Sequence, residues 1–533
     1  MKISKILPLF LLTLLFLYPI EVHKWSVLFF FLIPLLFLKE KEIKIPKLST
    51  LLFLFLTTFI SSLLLNRFTY FSLFFLSYIV LLISFYIFTL QMERIDLLKF
   101  TLFASLPAIF YGYYQKFFLF QSYLTNLENR VKRSPTLSDL RMMERLKEGR
   151  VFSLFPLPTS FCFFLSIIFL FSMGIALSEK RIREKAFYFS IALLSLILMI
   201  FTKSFGGILG LSGGFFIFLF IIGRKDLKIL LILLIISIAI MSTIIYLRFE
   251  TLSTKNPLTL RISNWKIALR VISEHPLFGV GFGNYTSFSL PFAEKRSEAT
   301  KYAHNFFLQF FAEGGIFCFI FLIFLLFGWF KGILKSISIS PLDASVGGGI
   351  FSILLYNFID IGIFFETFGF LTMLIFSFFT KEENTIRIHG RKKLLFTFSF
   401  FAILLFPFWT YLTEEFLQRA SLNFGEDISY SERILILTKR INPFNPKVYS
   451  YLSFIESKKG NLSSSLDYID KSISLYPYSH SLYHEKGIIL LKMRRYLEAY
   501  FSLREAEKLN PSFIPYRDER KNLEDFLFRS RND

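Results

Sequence analysis

Six cations, one histidine and one asparagine mark where this chain has the residues for chemistry. Arg261, Lys266, Arg270, Lys295, Arg296 and Lys301 fall in one polar stretch, about 248–303, which closes on His304-Asn305. A guanidinium fork meets phosphate oxygens two at a time, and a low-dielectric boundary strengthens the contact. The stretch suits a pyrophosphate-bearing lipid substrate. It equally suits anionic lipid headgroups with no catalysis involved. A neutral imidazole at such a boundary acts as a general base toward a sugar hydroxyl or hydrogen-bonds a leaving phosphate. The plainer alternative is that His304 and Asn305 cap the helix that follows.

A second basic stretch, about 116–150, carries Arg130, Lys132, Arg133, Arg145, Lys147 and Arg150. Between the first set of cations and His304 lies Gly279-Val280-Gly281-Phe282-Gly283-Asn284. Its spacing is not that of a dinucleotide fingerprint, and no strand precedes it, so it reads as a tight turn that brings backbone close to a substrate or another helix. Nothing here has the pattern of a carboxylate metal site. The two cysteines, Cys162 and Cys318, fall in apolar runs and suggest neither a disulfide nor a metal centre.

The elements that must position these residues are membrane helices. Of 533 residues, 54% are hydrophobic and 74 are Phe, far more apolar surface than a soluble domain can bury. Runs of spanning or near-spanning length fall at about 6–20, 25–38, 49–65, 69–90, 97–115, 154–177, 186–202, 206–222, 229–247, 304–330, 343–359, 361–380 and 394–411. That is about thirteen, with one more or fewer allowed by the short first pair and the division of 343–380. The first run follows a basic start without a small-residue cleavage site, so it reads as an uncleaved span.

The net charge of +21 points to membrane orientation and not to nucleic acid. Lysine and arginine cluster in alternate connections: Lys39 to Lys47, Arg94 and Lys99, Lys180 to Lys185, Arg224 to Lys228, Lys331 and Lys335, and Arg387 to Lys393. The intervening short connections hold little (Lys24, Arg67, Lys203). By the positive-inside rule the N-terminus is cytoplasmic, and both long basic stretches face outward, since long loops cross despite their charge.

After about residue 412 the composition turns polar. Asn442-Pro443, Tyr476-Pro477 and Asn510-Pro511 recur every 34 residues, and Tyr449 matches Tyr483, Ile455 matches Ile489, Leu462 matches Tyr496 and Ser465 matches Ala499. This period resembles the tetratricopeptide repeat, helix pairs that must stack to bury their apolar faces. Residues 414–442 read as a degenerate leading pair, and the tail after Pro511 as a cap helix. The expected domains are therefore 1–412, a membrane domain with its working loop at 248–303, and 413–533, a helical repeat module outside the membrane.

The order Arg261-x-x-x-Trp265, then His275-Pro276-Leu277-Phe278-Gly279-Val280-Gly281-Phe282-Gly283-Asn284-Tyr285, then His304-Asn305 and Glu313-Gly314-Gly315, resembles the O-antigen ligase and polymerase superfamily. Gly149-Arg150-Val151-Phe152-Ser153 with Pro158 resembles that family's Arg-led segment, with Thr159 where an Asn is usual. Phe201-Thr202-Lys203-Ser204-Phe205-Gly206 resembles its Ser-Arg-Gly segment, with Phe205 at the Arg position and Lys203 as the nearest substitute charge.

The resemblance implies an all-α, polytopic fold of the GT-C-like kind in a bacterial inner membrane. It implies a metal-independent glycosyltransferase without a cofactor. Its donor would be a glycan on undecaprenyl pyrophosphate at the periplasmic face, and its acceptor a sugar hydroxyl of lipid A-core or, in related branches, another glycan or a protein. His304 and Arg261 would be catalytic, with Arg150, Lys203, Asn305 and Arg270 binding substrate and Trp265 packing the loop helix. A polymerase shares these motifs; the repeat module, suited to a large acceptor or a protein partner, favours a ligase. A lipid-linked glycan flippase would instead carry charge inside its spans, which are nearly free of it. A membrane-anchored scaffold would need far fewer spans.

Overall fold

The computed structural model describes residues 30–47, 56, 59–60, 69–133, 137–223, 235, 257–295, 300–336, 340–362, 366–380 and 385–529. The runs expected at 6–20, 49–65 and 229–247 fall wholly or mainly outside these residues, as do Lys24, Arg67, Arg224, Lys225, Lys228 and Arg296.

The fold is all-α, with one small sheet among the described residues. Eight of the described helices are long and apolar enough to cross a membrane. Tyr70–Thr89, Pro158–Ser178, Ile182–Thr202, Phe205–Ile222 and Pro341–Ile359 lie close to their expected positions. Among the described residues of the run at 361–380, the helix is the 14-residue Glu366–Phe379. The run at 97–115 differs more. A helix from Arg94 to Tyr114 passes through a π turn, Gln115–Leu119, and continues as Phe120–Arg133. Residues 120–133 space their apolar side chains along one face, so the helix persists where a loop was expected.

The chain divides into two compact units. One contains Met1–Leu48, Leu81–Pro257 and Leu326–Leu404; the other contains Ser49–Val80, Leu258–Leu325 and Leu405–Asp533.

In the first unit the helix Pro158–Ser178 is the centre, with 89% of its span buried among its neighbours. In lipid the hydrophobic effect does not draw helices together, so close packing and polar contacts must. Helices Phe205–Ile222 and Pro341–Ile359 meet so closely that a Cβ on Gly348 would stand 2.5 Å from the Gly214 carbonyl oxygen. Ser166 Oγ and Ser352 Oγ are 3.1 Å apart, and Phe163 stacks on Tyr356 at 4.0 Å.

The basic connections of this unit are joined to one another. Ile43–Pro46 pairs antiparallel with Thr385–Ile388. Gln91 Nε2 donates to the Lys44 carbonyl at 2.7 Å while its Oε1 accepts from the Lys44 N–H at 2.8 Å. Arg387 meets Glu42 at 2.9 Å, and Lys99 meets Glu179 at 2.6 Å. Segments that the charge rule assigns to one side thus touch one another.

In the second unit, Ala268, Val271 and Ile272 of the helix Pro257–Glu274 bury against Val280, Tyr285, Ala303 and Ala312. The helix Gly390–Leu422 runs through residue 412, followed by Ile428–Ile441. Two antiparallel pairs come next, Pro446–Lys459 with Leu462–Leu475 and His480–Lys492 with Tyr496–Leu509, and then Ile514–Arg529. Asp427 caps its helix by accepting the Tyr430 N–H at 2.8 Å, and Asn445 accepts that of Lys447 at 3.0 Å ahead of Pro446.

Candidate functional site

Arg261, Arg270, His304 and Asn305 belong to the second unit, and Arg150 and Lys203 to the first.

In the second unit the site is built on a break in one helix. Within Phe306–Ser336, Gly315 takes φ 72°, ψ −179°, which interrupts the helical ladder. The carbonyls ahead of the break are therefore available to the preceding loop. Ala312 accepts the Val280 N–H and Glu313 accepts the Gly281 N–H, both at 2.9 Å, while Ile316 N–H donates to the Pro276 carbonyl at 2.8 Å. Gly279 at φ 69° approaches so closely that a Cβ would lie 2.4 Å from the Glu313 carbonyl carbon. The glycine-punctuated turn is thus a close backbone approach to another helix, one of the two roles expected of it.

The Glu313 side chain extends the same bracing. It is buried, and its Oε1 accepts from the Tyr285 N–H at 3.3 Å and from Gln309 Nε2 at 3.1 Å. Gln309 Oε1 in turn accepts the Ala303 N–H at 2.8 Å. From the other side Thr69 Oγ1 donates to Asn284 Oδ1 at 2.9 Å, and Ser72 Oγ to the Phe282 carbonyl at 3.0 Å.

His304 follows Ala303 with φ 53°, in the left-handed region that a non-glycine residue enters at a cost. Three contacts fix it there. Gln309 holds the residue before it, and Trp265 Nε1 donates to the His304 carbonyl at 3.2 Å. Asn305 Oδ1 accepts the Leu308 N–H at 3.0 Å. Asn305 therefore takes the helix-capping role that was the plainer of its two readings. Trp265, expected to pack the loop helix, also ties that helix to the histidine.

Arg261 is half-buried on the same helix as Trp265. Arg270 is exposed and stands 3.8 Å from Glu294, a rim position where an ion pair is weak.

The loop also rests on the C-terminal helices of its own unit. Ser287 Oγ and Tyr476 OH are 2.8 Å apart, Phe288 lies 4.7 Å from Tyr478, and Phe71 lies 4.8 Å from Tyr476. Glu414 links Tyr70 OH at 2.6 Å with Lys447 at 3.1 Å.

In the first unit, Arg150 and Lys203 come together. The helix Leu137–Lys147 ends on Gly149 at φ 70°, with the Arg150 N–H returning to the Arg145 carbonyl. That turn directs Arg150 inward, where it is 8% exposed and its Nε donates to the Thr202 carbonyl at 3.0 Å. The Val151 N–H donates to the Phe201 carbonyl at 3.0 Å. Lys203, left-handed at φ 49°, donates from Nζ to the Glu148 carbonyl at 2.7 Å. The two segments singled out in the sequence, 149–153 and 201–204, are laced to each other.

Gln115 and Lys116 were not singled out in the sequence, yet both belong to this cluster. Gln115 Oε1 accepts from the Phe152 and Ser153 N–H groups at 3.0 and 2.8 Å. Gln309 and Glu313 were likewise not assigned to the site in the second unit. Only the Glu313-Gly314-Gly315 interruption of an apolar run signalled that segment. Cys162 and Cys318 are both buried.

Among the described residues no group of His, Cys, Asp or Glu is arranged to hold a metal. A family model described as O-Antigen ligase matches residues 190–323, the stretch that holds Lys203, Arg261, Trp265, Arg270, the glycine turn, His304, Asn305 and Glu313. No curated protein matches the chain.

Proposed function

We propose that the chain, whose residues 190–323 match a family model described as O-Antigen ligase, is a member of that superfamily and moves a glycan from undecaprenyl pyrophosphate to a sugar hydroxyl at the periplasmic face of a bacterial inner membrane. The acceptor in this reading is lipid A-core. The observation that carries it is the coincidence of the family match with a histidine locked in a left-handed turn by Trp265, Gln309 and Asn305.

In the proposed reaction the acceptor oxygen attacks the anomeric carbon. The bond from that carbon to the phosphate oxygen breaks, with inversion, and its electron pair leaves with pyrophosphate. His304 takes the acceptor proton, and Arg261 balances the charge growing on the departing group. A backbone fixed at His304 serves this step because a base must sit within hydrogen-bond reach of the proton it removes. Arg150 and Lys203 are proposed to bind donor phosphate, and Arg270 to attract substrate at the rim. The C-terminal helices, whose matching members begin at Pro446 and His480 and at Leu462 and Tyr496, are proposed to be a tetratricopeptide-type module.

The test is complementation of a deletion strain with wild type, His304→Ala and Arg261→Ala, analysing surface glycan and lipid-linked intermediates. Full-length polymer left on the carrier supports a ligase, and single repeats left there support a polymerase. Normal glycan from either alanine variant overturns the role given to that residue.

A further inference from the structure

We propose that Lys116 is a third cation of an anion site formed with Arg150 and Lys203 around Gly149, and that this site takes the pyrophosphate head group of a prenyl lipid. The proposal deepens the donor reading above and rests on it.

Lys116 lies in the π turn Gln115–Leu119. The extra residue of such a turn shifts the side chains around it, and π turns gather at functional sites. The Lys116 ammonium sits 5.4 Å from the Phe120 ring centroid and 5.3 Å from that of Phe201. Gly149 has φ 70° and no side chain; a Cβ there would stand 3.8 Å from Lys116 Nζ and 4.0 Å from Lys203 Nζ. Both ammonium groups therefore border the space that a side chain at 149 would occupy. Arg150, the next residue, is buried, with its Nε on the carbonyl of Thr202, the neighbour of Lys203.

Glu148 brings its carboxylate to 3.7 Å from Arg150, and its carbonyl, not its carboxylate, holds Lys203. Cations that border one partly buried space repel each other unless an anion enters. A second observation agrees: Gln115 Nε2 is buried with no hydrogen-bond partner, next in sequence to Lys116. Three cations exceed what one phosphate needs and suit two linked ones. Were Lys116 held only for its contact with two rings, removing its charge would change stability and leave anion binding as it was.

The test uses the full chain in nanodiscs, with farnesyl pyrophosphate, farnesyl monophosphate and inorganic pyrophosphate as probes. Lys116→Met keeps the stem and removes the charge, and should weaken farnesyl pyrophosphate binding about tenfold with a shallower salt dependence. Lys116→Arg should restore most of it. Competition by inorganic pyrophosphate supports recognition of the head group itself, whereas monophosphate binding as tight as pyrophosphate overturns the pyrophosphate assignment. If Lys116→Met binds like a wild type that does bind the prenyl pyrophosphate, the role of Lys116 is wrong and the donor reading stands. If wild type binds no prenyl pyrophosphate, both fall. A thermal melt of each variant separates lost binding from lost folding.

Discussion

His304 stores backbone strain, roughly 1–2 kcal/mol for a non-glycine residue in the left-handed region, and its neighbours hold it there. Strain kept in place by three separate contacts is what a positioned catalytic group requires. His304→Ala should lower the transfer rate about 100-fold or more while leaving prenyl pyrophosphate binding within about twofold, checked by transfer kinetics beside a binding titration. Equal losses in both would make the imidazole a binding group instead. A different residue controls pH behaviour in the C-terminal helices. Burial pushes the Glu485 carboxyl up to about 7, against the opposing effect of its hydrogen bond from Ser450. A carboxyl raised on folding favours the protonated native state, so its contribution is full below pH 4.5 and fades as pH rises through 7. The melting temperature of Glu485→Gln relative to wild type should therefore rise between pH 5 and pH 8. A difference that stays flat would show that the carboxyl is not buried in solution.

At the scale of elements, the loop and its return helix are one construction. Gly279→Ala places a Cβ 2.4 Å from backbone atoms of Glu313 at a φ of 69°, so the turn and the helix break must separate. The variant should lose accumulation in the membrane or, if it accumulates, lose transfer activity; wild-type levels of both would mean that the turn relaxes without cost. The turn was legible in the sequence because glycines at 279, 281 and 283 have few other uses. The apolar helices were legible from length, and the paired C-terminal helices from prolines that recur with a fixed period. The π turn was not, because one extra residue in a turn leaves no mark on hydrophobic periodicity. Lys116 and Gln115 were missed for that reason. Gln309 was missed, and Glu313 was given no role, because a polar side chain facing inward on an apolar helix shows its partners only when the fold brings them. The extension of the helix beyond Leu119 to Arg133 was missed because basic, polar sequence was equated with loop.

At the scale of the whole chain, membrane orientation rests on charge. The contacts among the segments at 39–47, 91–99, 179–185 and 385–393 agree with it, since touching segments share a side. Cysteine labelling tests this directly, because Cys162 and Cys318 are buried and should stay silent. Lys392→Cys should react with a membrane-impermeant reagent only after the membrane is opened, and Lys301→Cys should react in intact spheroplasts. The reverse pattern would invert the topology and remove the periplasmic reading of the loop. The small sheet adds a constraint of timing. Its strands lie so far apart that the contact between Arg387 and Glu42 spans 345 residues. At ordinary synthesis rates the first strand waits roughly 20–70 s for its partner to leave the ribosome. An unpaired edge left that long invites the wrong neighbour, and Lys41, Glu42, Lys44 and Pro46 are the residue types that discourage one. The strand that fastens the first unit is thus also among its late clasps to close, and a chain released before residue 388 would leave it open.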